Sequence, residues 1–204
     1  MKKIAIYCGS SAGPNEIYRT QAAQLGTSLA ENGIHVIFGG GKVGMMGILA
    51  DAALEAGGKV TGVIPGFLHV KEVAHKGLTE LITVDTMHQR KALIENLCDG
   101  AIALPGGFGT LDELFEMLTW GQLGLHDKPV GILNTNGFYD QILSAVDRMV
   151  AEGFLRDLNR DMVLVSEHIE ELLELMHSYK PPRVRKWIID GDPDNSIPFK
   201  GARP

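Results

Sequence analysis

The sequence has little cysteine, no run of basic residues and no long apolar stretch, and each shortage argues against a class of protein. The only two cysteines, Cys8 and Cys98, lie in apolar stretches without metal-site spacing, which predicts reduced core thiols rather than a disulfide framework. A net charge of -6 without a basic stripe argues against binding to nucleic acid or to acidic membranes. No segment has the length and apolarity of a membrane span, and no signal-peptide pattern opens the chain. We therefore expect a cytoplasmic protein.

The sequence also lacks a metal-site signature. None of its seven histidines pairs with another at the helical spacing of zinc ligands. We expect neither a metal nor another cofactor.

What the chain has is enough apolar material for one core. Hydrophobic residues make up 45% of 204 residues, a length usual for one domain. After Tyr179 the periodicity stops and prolines accumulate, with Pro181 and Pro182 coming first. We predict one domain over residues 1–180 and an extended tail over residues 181–204.

Short apolar runs alternate with helix-length amphipathic segments along the domain. The predicted strands are 3–8, 34–38, 59–64, 80–84, 101–104, 129–133 and 162–165. The predicted helices are 16–32, 45–56, 87–97, 111–125, 138–152 and 167–179. The runs are continuously apolar, as in strands that are buried on both faces. The pattern predicts a Rossmann-like α/β fold, an open and mostly parallel sheet of about seven strands with helices on both faces and a ligand site at the carboxyl ends of the strands.

The clearest motif is Pro-Gly-Gly-Phe-Gly-Thr-Leu-Asp-Glu at residues 105–113, between a strand and a helix. Glycines let the backbone approach a phosphate, and the amides and dipole of a helix start favour negative charge. Thr110 adds a hydroxyl donor. The alternative is a capping box, in which Thr110 and Glu113 satisfy backbone amides and Glu113 has no chemical role.

A second motif, Thr-Met-His-Gln-Arg-Lys at residues 86–91, begins another predicted helix. Two cations near a helix N-terminus oppose the helix dipole, so Arg90 and Lys91 are not explained by helix stability. A nearby anion would explain them. The alternative is a pair of solvated surface side chains.

A third glycine-rich segment, residues 39–47, follows the second predicted strand. It lacks the Gly-Lys-Ser or Gly-Lys-Thr ending of a Walker loop, and the first strand is followed by Cys-Gly-Ser-Ser rather than a dinucleotide fingerprint. Neither ATP hydrolysis nor nicotinamide chemistry is supported.

Together the first two motifs resemble those of the LONELY GUY family, and the resemblance covers roughly residues 3–179, including 39–47 and 119–129. Asp112 stands where the family often has glutamate. The resemblance implies a homodimeric hydrolase that cleaves the N-glycosidic bond of an adenosine 5′-monophosphate, N6-modified or not, to the free base and ribose 5-phosphate. The family has also carried the label lysine decarboxylase, but the sequence shows no signature of a pyridoxal phosphate site.

The resemblance also implies roles for individual residues. Arg90 and Glu113 would be the catalytic pair. The substrate would be bound by Glu72, Lys91, Gly107, Phe108, Gly109, Thr110, Leu111, Asp112 and Thr119, with Ser10, Gly40 and Met87 as further nucleotide contacts.

Two other functions stay open at this point. A non-catalytic carrier of a nucleotide or of the molybdenum cofactor would use the same phosphate cradle without turnover. A broad nucleotide nucleosidase of purine salvage would share the chemistry and differ in base preference.

Overall fold

Seven parallel strands form one sheet in the computed structural model, which describes residues 1–71 and 74–182. The strands are β1 (Lys3–Tyr7), β2 (His35–Phe38), β3 (Val60–Pro65), β4 (Glu80–Val84), β5 (Gly100–Ala103), β6 (Val130–Leu133) and β7 (Val163–Ser166). Their order across the sheet is β4-β3-β2-β1-β5-β6-β7. The predicted Rossmann-like sheet of about seven strands is confirmed.

The helices are α1 (Glu16–Glu31), α2 (Gly44–Glu55), α3 (Gly66–Lys71), α4 (Met87–Leu97), α5 (Phe108–Gln122), α6 (Asp140–Ala151), α7 (Asp157–Arg160) and α8 (Ile169–Ser178). The six predicted helices are present, whereas the short α3 and α7 were not predicted. Helix α5 also begins three residues earlier than residue 111, because its N-cap is Gly107 and not Thr110.

Two hydrophobic cores explain why the strands read as continuous apolar runs. Ile4 and Ile6 of β1 pack into one core with α1, α2 and α8, while Ala5 and Tyr7 pack into the other with α4, α5 and α6. Because alternate residues of a strand point to opposite faces, a strand that is covered on both sides needs apolar residues at every position. Both cysteines are free and buried, as predicted.

The strand order places a crevice between β1 and β5. From β1 the chain continues through α1 to β2 on one side, and from β5 it continues through α5 to β6 on the other side. The loops after β1 and β5 therefore diverge at the carboxyl edge of the sheet, which is where open α/β sheets bind ligands.

None of the helices in residues 1–71 and 74–182 is both long and apolar enough to cross a membrane. The predicted tail lies outside the described residues from residue 183 onward, as does Glu72.

Candidate active site

A cavity of about 260 Å³ opens at this crevice. It is lined by Ile6, Cys8, Gly9, Ser10, Gly39, Met46, Met87, Arg90, Gly107, Phe108, Gly109, Thr110, Asp112 and Glu113. Apart from Ile6, which lies within β1, these residues follow β1, β2 and β5 or lie in the first half of α2, α4 and α5. The fold thus brings together parts of all three sequence motifs.

The start of α5 forms one wall of the cavity. Its N-cap, Gly107, is extended, and no side chain caps the helix. A Cβ atom built on Gly107 or Gly109 would meet no other atom within 4 Å. The first amides of α5 therefore border open space, which is the arrangement that binds phosphate at helix N-termini.

The capping-box interpretation of Thr110 and Glu113 is wrong. Thr110 is the third residue of α5, and it is buried against Gly106, where a Cβ would lie 2.1 Å from the Thr110 hydroxyl oxygen. The Glu113 carboxylate accepts a hydrogen bond from Arg90 instead. A capping box does occur at the start of α4, where Thr86 and Gln89 satisfy each other's backbone amides.

Arg90 lies in the first half of α4 and is held by two hydrogen bonds. Its Nε donates to the carbonyl oxygen of Val63 at 3.1 Å, and its Nη1 donates to Oε1 of Glu113 at 3.1 Å. Both side chains of the ion pair are only 13% exposed. The alternative that Arg90 is a solvated surface cation is therefore wrong.

Gly39, directly after β2, makes room for this arginine. A Cβ atom at residue 39 would lie 1.9 Å from Nη2 of Arg90, so the guanidinium occupies the space that any larger residue would fill. Gly39 is not among the residues predicted for the site, although it belongs to the third glycine-rich segment. Its position directly after a predicted strand was the signal that could have identified it.

The electrostatics of Glu113 follow from its burial among charges. Burial raises the pKa of the Glu113 carboxyl, the charges of Arg90 and Lys91 oppose that increase, and those of Asp112 and Glu116 add to it. The pKa of Glu113 remains above its ordinary value, which moves its proton equilibrium toward neutral pH. Such a shift in a cleft is typical of functional carboxylates.

Cys8 is not a nucleophile despite its place on the cavity floor. Burial, followed by the charge of Glu113, raises the pKa of its thiol far above the ordinary value. A thiol in this environment stays protonated and unreactive.

Several other predicted residues do not line the cavity. Leu111 packs against the core on the α5 side of the sheet. Gly40 has a positive φ of 77° and lies against Ile64 and Leu81. Thr119 donates its hydroxyl to the carbonyl of Phe115 and lies nine residues, or about 13 Å of helix, beyond Thr110.

Lys91 does not line the cavity either. Its Nζ lies 3.1 Å from Asp112 Oδ2 and 2.9 Å from Glu116 Oε1. Ser10, Met87 and Phe108 do line the cavity, and Phe108 is 94% exposed at its mouth. Met46 also lines the cavity; it belongs to the third glycine-rich segment but was not among the residues predicted for the site.

Within the described residues, no group of three or more histidine, cysteine, aspartate or glutamate side chains could hold a metal ion.

Known proteins are similar to this chain in sequence and in fold. A family model described as possible lysine decarboxylase matches residues 46–176. A cytokinin riboside 5′-monophosphate phosphoribohydrolase of Arabidopsis thaliana is 42% identical over 196 residues, which are 95% of this chain and 92% of that protein. A probable enzyme of the same name from rice, Oryza sativa subsp. japonica, is 44% identical over 87% of this chain and 79% of its own length.

Solved structures with this fold include proteins of a different description. The molybdenum cofactor binding protein of Rippkaea orientalis has a TM-score of 0.66 and 25% identity over 87% of this chain and 96% of its own. A molybdenum cofactor carrier protein of Chlamydomonas reinhardtii has a TM-score of 0.65 at 21% identity, over 86% and 95% of the two chains, which shows the fold alone.

Proposed function

Because the chain belongs to the LONELY GUY family of phosphoribohydrolases, we propose that it hydrolyses the N-glycosidic bond of an adenosine 5′-monophosphate, N6-modified or not, releasing the free base and ribose 5-phosphate. The observation that carries this proposal is the buried Arg90–Glu113 pair beside the uncapped start of α5. A carboxylate and a phosphate site in one cavity are the two groups that this reaction needs.

The reaction requires stabilisation of positive charge on the sugar. As the bond between C1′ and the base nitrogen breaks, the ribose acquires oxocarbenium character, and water then adds to C1′. In our proposal the Glu113 carboxylate lies at the ribose, where it stabilises that charge or orients the water. Preorganised electrostatics of this kind contributes a few kcal/mol per group.

Arg90 then has two tasks in the proposed mechanism. It keeps the Glu113 carboxylate in one orientation through the 3.1 Å hydrogen bond, and its charge opposes the increase in the pKa of Glu113 that burial causes. It also adds positive charge to the cavity in which the phosphate is expected. Its contact with the Val63 carbonyl keeps the guanidinium in place without substrate.

The 5′-phosphate is expected at Gly107, Phe108, Gly109 and Thr110, where open space meets the first amides of α5. Binding energy from the phosphate then positions C1′ against Glu113. Ser10 and Asp112 line the same cavity and are proposed contacts of the nucleotide. The roles of Glu72, Leu111, Gly40 and Thr119 stay predictions.

We further propose that the chain acts as a homodimer. Leu123 and Leu125, just after α5, are more than half exposed, and apolar side chains in this position suit an interface between subunits. A cytoplasmic location stays a prediction from the sequence.

The test of the proposed function is release of free base from AMP and from N6-isopentenyl-AMP, followed by chromatography, with adenosine as the comparison. We expect base from the monophosphates and a kcat/KM for adenosine that is lower by on the order of 10²-fold or more, because the phosphate contributes binding energy in the transition state. Equal rates for adenosine and AMP would contradict the proposed phosphate site. The ratio between the two monophosphates gives the base preference.

A second candidate is a carrier, which the fold shared with molybdenum cofactor proteins favours. A carrier binds its ligand without turnover, so the wild-type protein would release base from neither monophosphate. The buried Arg90–Glu113 pair favours the enzyme, since binding alone does not need a carboxylate with a raised pKa.

Gly109→Ala tests whether the phosphate binds at the start of α5. The new methyl group meets no protein atom within 4 Å and alanine is a better helix former than glycine, so we expect thermal stability to be maintained or increased. The methyl group would occupy space beside the helix amides, and we expect KM for AMP to rise about tenfold or more, in line with loss of well-placed contacts. Steady-state kinetics with adenosine is the internal control, because its cleavage does not use the phosphate site. An unchanged KM for AMP would place the phosphate elsewhere.

A further inference from the structure

Lys91 links α4 to α5 through ion pairs with two carboxylates, one before and one after Glu113 in the chain. Its Nζ contacts Asp112 Oδ2 at 3.1 Å and Glu116 Oε1 at 2.9 Å, and its side chain is only 15% exposed. Asp112 immediately precedes Glu113, and Glu116 follows one helical turn after Asp112. The neighbouring residue on α4, Arg90, pairs with Glu113 itself. Two adjacent cations of α4 thus engage three carboxylates of α5.

This geometry does not fit a role for Lys91 as a ligand of the substrate phosphate. The Lys91 side chain is not among the groups that line the cavity, and both of its partners lie on α5. Burial lowers the pKa of Lys91, but its hydrogen bonds to Glu116 and Asp112 outweigh that effect and raise it. An ammonium held this way stays charged and has two anions already bound to it.

We propose that Lys91 is a positioning residue that acts through Glu113, aligning α5 with α4 and neutralising the two carboxylates that flank the Glu113 side chain, rather than a ligand of the substrate phosphate. This inference rests on the proposed function, in which Glu113 acts on the ribose. It assigns Lys91 an electrostatic role that the resemblance to the family does not imply.

The charges around Glu113 explain why neutralisation matters. Arg90 and Lys91 face it from α4, and Asp112 and Glu116 face it from its own helix. Tyr7 and Cys8 face it from β1 and the loop that follows, and burial raises the pKa of both groups, so that both are neutral. Without Lys91, two unneutralised carboxylates would oppose ionisation of Glu113.

The test compares Lys91→Met with the double variant Lys91→Met/Glu116→Gln. For Lys91→Met we expect kcat for AMP to fall by on the order of tenfold to a hundredfold, as for a misplaced group in an active site. We expect the loss of activity at low pH, the acidic limb, which follows protonation of Glu113, to move to higher pH. KM for AMP should be nearly unchanged, and adenosine cleavage should be reduced to the same extent as AMP cleavage. In the double variant one flanking charge is gone, so the acidic limb should move part of the way back.

Carbon-13 NMR titration of the Glu113 carboxyl gives the same shift without turnover, which separates failure of this inference from failure of the proposed function. Lys128→Met is the matched control, because Lys128 is also a partly buried partner of a glutamate, Glu95, but is not among the charges that act on Glu113. Glu116→Gln alone should move the Glu113 titration to lower pH, a measurement that does not depend on Lys91→Met being folded. The inference would be overturned if Lys91→Met raised only KM for AMP, with no change in the titration of Glu113 and no effect on adenosine cleavage. Together with a lack of recovery in the double variant, that result would identify Lys91 as a phosphate ligand.

Discussion

We expect Glu113→Gln to lower kcat for release of base from AMP by on the order of 10²- to 10³-fold, the range found when one preorganised charge-stabilising group is removed from an active site. Glutamine keeps the size of the side chain and an oxygen that can accept from Arg90. It lacks the negative charge that would stabilise a cationic ribose. KM for AMP should change little, because the proposed phosphate site at the start of α5 is not altered by this substitution.

The pH profile of the wild-type protein checks the same residue. If the carboxylate form of Glu113 is active, activity is lost as the pH falls through its pKa in the folded protein. Because burial raises the pKa of Glu113, the acidic limb should lie above the ordinary glutamate value of about 4.3. An acidic limb at or below that value would show that another group controls the rate.

The contribution of Glu113 to stability should depend on pH in the opposite direction from its contribution to activity. A carboxyl whose pKa is raised by folding costs stability as the pH rises through that pKa, since the unfolded chain ionises more readily. Glu113→Gln removes this cost but also removes the anionic partner of the buried Arg90, and because the two effects oppose each other we expect its Tm at neutral pH to be close to that of the wild type. Asp147→Asn is the matched control, because Asp147 pairs with Arg160 at 2.6 Å outside the cavity and should not alter kcat. A large loss of Tm in Glu113→Gln would point to a structural role.

The second large effect is expected for Gly39→Ala, a change that adds one methyl group. The new Cβ would lie 1.9 Å from Arg90 Nη2, where real contacts are 3.0 Å or longer, so the guanidinium must move by about 1 Å. Because a displacement of this size in an active site can cost about 10²-fold in rate, we expect a loss of that order in kcat. The backbone of Gly39 does not have a positive φ, and the clash is with the end of a flexible side chain, so the fold should tolerate alanine.

Gly66→Ala is the matched control for this substitution. Gly66 follows β3 as Gly39 follows β2, and its Cβ would be 3.7 Å from the nearest atom, an ordinary contact. We expect Gly66→Ala to retain activity and both variants to retain their far-ultraviolet circular dichroism. Full activity in Gly39→Ala would mean that the position of Arg90 in the free protein is not the one used in catalysis.

Similar proteins are described either as enzymes or as cofactor carriers, so the residues of the site, rather than the fold, must distinguish the two functions. A parallel sheet with a crevice between β1 and β5 supports many activities, so fold similarity alone does not choose between them. The residues that distinguish the two proposals are Arg90 and Glu113, because binding alone does not require a buried carboxylate with a raised pKa. The measurements on Glu113 and Gly39 therefore test the function itself.

The sequence by itself determined the fold class, and the resemblance of its motifs to those of the LONELY GUY family indicated the catalytic candidates. Continuous apolar runs between amphipathic segments can be read without coordinates, because the periodicities of strands and helices are local properties of the chain. The glycine-rich start of α5 and the adjacent Arg90 and Lys91 are local motifs too, and the cavity contains most of the site residues that their resemblance to a known family implied.

Only the tertiary structure decided which interactions these residues make. Glu113 could have capped α5, and Lys91 could have faced the cavity; the pairing of Arg90 with Glu113 and of Lys91 with Asp112 and Glu116 depends on how α4 lies against α5. The need for glycine at residue 39 arises from a side chain 51 positions further along the chain. Periodicity and propensity describe a residue's neighbours in the sequence, whereas ion pairs and burial depend on neighbours in space, which the packing of helices on the sheet brings together.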